Sequence, residues 1–420
     1  MVDKNLFLYD LAVMTMMKNA APYVKEWLDY HLLAGVDHFY FYDNESPDNQ
    51  KEILQPYVDA GIVTYTLYPG KVRLLEAYND AIKRFKFECR YLAFVDDDEF
   101  ILPKSKPTII EVVDEVLSGK PNAGGLSVDW QFFGSNGQEK ADYSRGVLER
   151  FTARQEGVDK QVKIIVDPRK VRYLQIAHFA YMFDGFYSFN ENGGLVNGAF
   201  NEQPTGDKIV MHHYHLKSRE EYEKRVKRGQ PDGLNARTMQ LWESWDKNYN
   251  KVVDEDILKY RDERRSALIP DGDISKIFPR KQINYQRLLN VISQNLFQVA
   301  IKGTPPDFFK GKMENFLTCL NLVSHLKERV FEEFGAKFFE EIALNAIHKT
   351  LYAGIVAADL MLLLGEMPKI LKMNYPIVKT IRESLLQIIP KMLEMLRMQN
   401  RWQEFTELEY KLDMLKDFKI

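Results

Sequence analysis

The sequence predicts an α/β domain followed by an all-α domain, and three observations carry that expectation. Strand-like and helix-like stretches alternate with short connections from Leu6 to Phe100, the pattern of a parallel, doubly wound sheet. One of these stretches, Tyr91 to Val95, is apolar throughout and ends in four consecutive acids, Asp96-Asp97-Asp98-Glu99. A short apolar run suits an interior strand covered on both faces, and ligands of open α/β sheets bind at the carboxyl ends of such strands. Beyond Lys281 the strand signals stop and only helical periodicity remains. The expected division is an α/β domain over residues 1–260, a linker over 261–281 rich in charge and turn residues, and a helical domain over 282–420.

The elements follow in order. Leu6 to Met16 reads as a first strand, running through Lys18-Asn19 into a helix over Tyr23 to Ala34 that stops at Gly35. His38 to Tyr42 is a second strand. It delivers Asp43-Asn44-Glu45-Ser46-Pro47-Asp48, where Ser46 is expected to cap a helix reaching about Ala60. A third strand, Ile62 to Leu67, is followed by a helix over Leu74 to Phe85 bearing Asn79, and then by the strand that ends in the acids. A surface helix is expected over Pro103 to Leu117, and a strand over Gly124 to Phe133. Further strands are read at Lys163 to Val166, Val171 to Ile176 and Lys208 to Met211. The helical part reads as Ile283 to Ile301, Phe308 to Leu326, Val330 to Leu364, Ile377 to Met398 with a kink at Pro390, and Trp402 to Asp417.

Four adjacent carboxylates repel one another, so cations should neutralise them. Asp96 and Asp98 lie two apart, which on an extended backbone aims both the same way and suits a hard cation such as Mn²⁺ or Mg²⁺; Asp97 then faces a ribose hydroxyl or a basic neighbour. A solvated acidic turn explains the same run. Asp43 and Asp48 are placed to accept from a base and a ribose, with turn and cap chemistry as the alternative, and Asn79 to bridge nucleotide and acid loop. Trp130, Phe133 and Ser135 close the strand at 124–133 in an aromatic and hydroxyl cluster that suits a sugar wall, and core packing explains it as well. Three histidines, His212, His213 and His215, fall near Lys217 and a helix bearing Arg225 and Arg228. That basic end suits a pyrophosphate, with an imidazole completing a metal shell; an amphipathic helix with a solvated basic face is the plain alternative. No glycine-rich phosphate loop is present.

The formal charge of -3 gives no ground for a nucleic-acid partner. The two cysteines, Cys89 and Cys319, match no metal or disulfide spacing, and the first residues lack a signal-peptide pattern, so a cytoplasmic location is expected. The wide, Met-rich apolar stripe of the helical part suits a self-contained core first, and homo-oligomer or peripheral membrane contact second.

Taken in order, Lys18-Asn19, Glu26-Trp27, Tyr30-His31, Gly35-Val36, Asp43-Asn44-x-Ser46-x-Asp48, Ala77-Tyr78-Asn79, Asp96-x-Asp98-Glu99-Phe100, Trp130-x-x-Phe133-Gly134 and His213-Tyr214-x-x-Lys217-Ser218 resemble glycosyltransferase family 92 and related family-2-like enzymes over roughly residues 8–230. The resemblance implies a GT-A fold, a nucleotide-sugar donor carrying uridine diphosphate, a glycan acceptor, and Mn²⁺ or Mg²⁺ bound through Asp96 and Asp98 with His213 as the later ligand. It also places Asp43 and Asp48 at the nucleoside and implies inversion at the anomeric carbon; Lys18, Asn19, Asn79, Asp97, Lys217, Arg225 and Arg228 are the further donor-binding candidates among the residues. Inversion needs a carboxylate base. Asp129, Glu149 and Asp184 are the candidates, with Asp184 slightly favoured for its loop position. Ala20 and Leu74 stand where relatives often carry Glu and Gln, which motivates an inactive glycan-binding or scaffold protein as the alternative. A nucleotide-sugar hydrolase or nucleotidyltransferase is the other.

Overall fold

The computed structural model describes residues 7–86, 88–120, 122–183, 185–229, 237–277 and 376–417. They fall into two compact units, residues 1–182 with 186–283, and residues 183–185 with 284–420.

The first unit opens with β1 (Tyr9–Met17), α1 (Val24–Leu33), β2 (His38–Asp43), α2 (Gln50–Asp59), β3 (Val63–Leu67), α3 (Leu74–Phe85) and β4 (Cys89–Phe94). These strands are parallel in the order β4-β1-β2-β3. Alternate residues of β4 point to opposite faces: Leu92 and Phe94 meet Tyr78, Ala81 and Phe85 of α3, whereas Ala93 and Val95 join the core beneath α1 and α2. Helices on both faces account for the continuous apolar character of the strand.

After the acids come β5 (Glu99–Pro103), α4 (Ile109–Leu117), β6 (Ala123–Phe132), α5 (Val147–Arg150), β7 (Ala153–Arg154) and β8 (Val162–Val166). They are followed by β9 (Val171–Ile176), β10 (Phe179–Met182), β11 (Tyr187–Phe189), β12 (Leu195–Val196), β13 (Ile209–His213), α6 (Arg219–Arg228), α7 (Met239–Tyr249), β14 (Val252–Val253) and α8 (Asp256–Leu268). The main sheet has ten strands and is mixed rather than wholly parallel, because β8 runs antiparallel between β4 and β6.

Three expectations are corrected. The chain does not enter a helix at Pro103; Glu99–Pro103 is a strand antiparallel to β13, and the helix starts only at Ile109, capped by Thr108. Ser46 does not cap α2, whose N-cap is Asn49; its hydroxyl accepts the Asn19 N–H at 2.7 Å and donates to Asp48 at 2.6 Å, tying two loops of the ligand edge together. The linker does not begin at 261, since α8 runs on to Leu268 and is fastened by Tyr260 Oη to the Pro107 carbonyl (2.8 Å) and Arg264 Nε to the Leu33 carbonyl (3.0 Å). In the second unit, α9 (Pro376–Met398) is one helix with Pro390 inside it. It and α10 (Trp402–Asp417) bury Leu385, Ile389, Met392 and Leu396 on one helix and Leu408, Leu412 and Leu415 on the other. The helices expected between 283 and 364, and Cys319, lie outside the described residues.

The candidate active site

The carboxyl ends of β1, β2 and β4 reach one edge together, since Met17 is in register with Asp43 and Met14 with Phe94. Asp97 and Asp98 form a turn there instead of extending the strand. The Trp27 indole N–H donates to the carbonyls of Asp96 (3.0 Å) and Glu99 (2.9 Å), and the Asp96 N–H donates to the Glu99 carboxylate at 2.9 Å. The turn sends Asp96 and Asp98 to different neighbours in the protein, although both line the same cavity.

Asp96 accepts from Lys163 Nζ at 2.8 Å and from the Tyr78 hydroxyl at 3.0 Å. Burial opposes its charge, but the Lys163 ammonium overrides that and lowers its pKa. Lys163, buried on β8, also lies 3.3 Å from Glu99, whose pKa burial drives well above the usual carboxylate range. Asp98 binds Arg225 Nη1 at 2.5 Å and faces His213 Nε2 at 3.6 Å. Here too burial disfavours the charge, and Arg225 followed by His213 holds the carboxyl well below its normal value. The pairing of β5 with β13 makes this contact: Glu99 is in register with His213, and the Tyr214 N–H donates to the Asp98 carbonyl at 2.8 Å. Burial lowers the His213 pKa despite Asp98, leaving a neutral imidazole with a free pair to offer.

A cavity of about 1200 Å³ opens above this edge. Lys18, Lys71, Arg225, Arg228 and Arg237 line it against Asp96, Asp97, Asp98 and Asp159, so with Lys163 and Lys217 packed behind the acids the cations outnumber the carboxylates and favour an anionic guest. Arg225 Nε and Arg237 Nη1 are buried donors that meet no acceptor among the described residues. Burial and then Arg225 lower the Arg237 pKa to about 10, which leaves it charged at neutral pH. A second stretch of wall is aromatic: Trp130 packs on His213 with ring centroids 4.3 Å apart, Phe132 stacks on Tyr249 at 5.0 Å, and Trp245 packs on His215.

Of the residues singled out from the sequence, Lys18, Asp96, Asp97, Asp98, Trp130, His213, Arg225 and Arg228 meet at this cavity. Arg228 donates to the Lys18 carbonyl at 2.6 Å. His215 and Leu74 line it too; the other described candidates do not. Asp43 is buried under the Tyr65 hydroxyl (2.7 Å) and the Ser46 N–H (2.8 Å). Asp48 takes the Ala21 N–H at 3.0 Å, and Asn19, at φ 60°, is held through its backbone by Ser46. Asn79 clamps β9 to α3 by exchanging hydrogen bonds with Leu174 at 2.8 Å in both directions. Lys217 is buried with its ammonium 3.6 Å from the Tyr23 ring and 3.9 Å from Asp97, so it neutralises Asp97 from behind. Phe133 packs on His212 and Tyr214, and Ser135 donates to Asp246 through its N–H (2.7 Å) and its hydroxyl (3.0 Å).

Two of the three candidate bases also lie elsewhere. Asp129 is buried and accepts Asn201 Nδ2 at 2.9 Å, and burial raises its pKa to about 6. Glu149 pairs with Arg261 at 3.2 Å. Asp184 lies outside the described residues. The residues that sequence reasoning missed are Asp159, Tyr249, Trp245 and Arg237. The run Gly157-Val158-Asp159, an acid just ahead of a strand, was the only local signal.

Comparison with known proteins follows the same residues. The family model described as glycosyltransferase family 92 matches residues 12–268. The chain belongs to glycosyltransferase family 92. It is 27% identical over 190 residues to a family 92 protein of Oryza sativa subsp. japonica, an alignment covering 45% of this chain and 32% of the relative. With a family 92 protein of Arabidopsis thaliana it shares 30% identity over 167 residues, covering 37% and 28%. The chain thus spans about a third of the length of these relatives. The α/β unit with its acids at the carboxyl edge is the GT-A arrangement implied by the sequence pattern. A crystal structure of S. aureus TarS 1-349 is 12% identical, covers 81% of this chain and 89% of its own, and superposes with a TM-score of 0.29. Among the described residues no helix is long and apolar enough to cross a membrane.

Proposed function

We propose that this chain transfers a sugar from a uridine diphosphate sugar to a glycan acceptor, with inversion at the anomeric carbon. The observation that carries the reading is one cavity, in a family 92 chain, with a surplus of cations at the strand ends and an aromatic wall beside them. Lys18, Arg225, Arg228 and Arg237 bind the diphosphate, and their preorganised charges stabilise the negative charge that grows on it as it leaves. Trp130, Phe132 and Tyr249 offer ring faces to the acceptor sugar and exclude water from it. The uridine nucleotide is the donor that the family resemblance implies.

The donor set fits a divalent cation at Asp98 and His213, because Asp98 Oδ1 and the neutral His213 Nε2 stand 3.6 Å apart beside the cavity. Asp96 is held by Lys163 and Tyr78 and Asp98 also by Arg225, and no cluster of three His, Cys, Asp or Glu donors suited to a metal occurs among the described residues. When bound, Mn²⁺ or Mg²⁺ supplies further positive charge to the departing diphosphate.

The test joins calorimetric titration of UDP, in Mn²⁺ and in EDTA, to an assay of UDP release from UDP-glucose, UDP-galactose and UDP-N-acetylglucosamine with p-nitrophenyl hexosides as acceptors. Glycoside plus UDP is the expected product. Release of a sugar 1-phosphate identifies a hydrolase instead, and UDP binding without turnover identifies a binding protein. Equal UDP affinity in EDTA removes the cation from the donor site.

A further inference from the structure

We propose that Asp159 is the general base that deprotonates the acceptor hydroxyl, an inference that rests on the transferase reading above. Among the described residues, the carboxylates lining the cavity are Asp96, Asp97, Asp98 and Asp159. The first three each face a cation: Lys163 at 2.8 Å, Lys217 at 3.9 Å and Arg225 at 2.5 Å. The Lys163 ammonium and the Arg225 guanidinium hold Asp96 and Asp98 in the charged, weakly basic form, and Asp97 faces Lys217 behind the turn. Asp159 has no such partner among the described residues. Its Oδ1 accepts the Gln161 N–H at 2.8 Å, and no described side chain bonds its Oδ2.

Its position also suits the role. The Asp159 N–H donates to the Trp130 carbonyl at 2.7 Å, and the Trp130 N–H donates to the Gln161 carbonyl at 2.9 Å, so the loop is fixed to β6 by its backbone. Trp130 packs in turn on His213, which faces Asp98. Trp130 therefore links Asp159, at the aromatic wall, to the cationic edge that takes the diphosphate. A base that is rigid, cation-free and beside the acceptor wall meets the geometric requirement for general base catalysis.

The acceptor oxygen attacks the anomeric carbon and forms the new C–O bond while the bond from that carbon to the phosphate oxygen breaks. The bonding pair leaves with the nucleoside diphosphate, and the acceptor proton passes to Asp159 Oδ2. No further reactant is needed.

The experiment compares wild type with Asp159→Asn and Asp159→Glu in the full chain. The carboxamide keeps an oxygen for the Gln161 N–H, so the loop and the fold are retained. UDP-sugar turnover with p-nitrophenyl hexosides is measured beside calorimetric UDP binding. Asp159→Asn is expected to lower kcat by about 10²- to 10⁴-fold while UDP affinity stays within about threefold, and Asp159→Glu to recover part of the rate. Wild-type turnover with Asp159→Asn within about tenfold of it overturns the base assignment alone. Loss of UDP binding in Asp159→Asn overturns it too, by moving the residue to the donor. No turnover by wild type with any donor and acceptor pair overturns the transferase reading, and this assignment with it.

Discussion

Lys163 decides the chemistry of the acid turn. Its ammonium is buried, and although burial opposes its charge, Asp96 and Glu99 hold its pKa well above the usual lysine range. Removing one member of such a group leaves charge buried without compensation, which costs about 3 kcal/mol or more. Lys163→Met should therefore lower stability by about that much in urea unfolding, and Asp96→Asn added to it should recover part of the loss. Additive effects of the two changes would show that they are not coupled. Asp129 gives a prediction of opposite sign. Its folded pKa of about 6 lies above the unfolded carboxylate value, so the native state binds the extra proton. Its stabilising contribution is fully present below the unfolded pKa and is lost as pH rises from about 4 to about 6, by roughly 1 kcal/mol per pH unit. Urea midpoints measured across that window should fall in wild type relative to Asp129→Asn, which lacks the titration; parallel curves would refute the assignment.

At the scale of elements, the pairing of β5 with β13 is what assembles the site. Without it Asp98 and His213, far apart in sequence, would not meet. The middle of the sheet is equally exacting where β6 crosses β8. A Cβ on Gly125 would stand 2.8 Å from the Ile165 carbonyl oxygen and 3.3 Å from Val166 Cα, both backbone atoms that cannot swing aside. Gly125→Ala should cost about 1–3 kcal/mol in denaturant unfolding, because an added methyl in a close-packed interior forces the backbone to move. An unchanged midpoint would mean that these strands are not so tightly apposed. Glu26 performs a related local service. It accepts the Val147 N–H at 2.5 Å and the Leu148 N–H at 3.3 Å, satisfying the amino end of α5 from a distant helix.

For the whole molecule, all residues lining the cavity lie between Met16 and Tyr249, inside the first compact unit. Since α8 belongs to that unit and runs to Leu268, the unit extends beyond it to Ile283. A chain ending at Ile283 should fold, by circular dichroism, and bind UDP within about threefold of the full chain. A folded but non-binding product would assign part of the donor site to the helical half.

Local pattern in the sequence determined much of this protein. The alternation that makes four parallel strands and their helices, the α3 boundaries at Leu74 and Phe85, and the acids at a strand end are properties of neighbouring residues, readable from periodicity and turn chemistry. The family signature and most of the cationic edge were legible for the same reason. Tertiary structure alone decided which polar residues face the cavity. Asp43, Asp48 and Asn79 sit near its edge in sequence yet spend their hydrogen bonds on the scaffold, and Asp96 is answered by a lysine many residues later. Asp159 reaches the cavity because β8 enters the sheet antiparallel, and strand direction is set by long-range pairing that no local window contains.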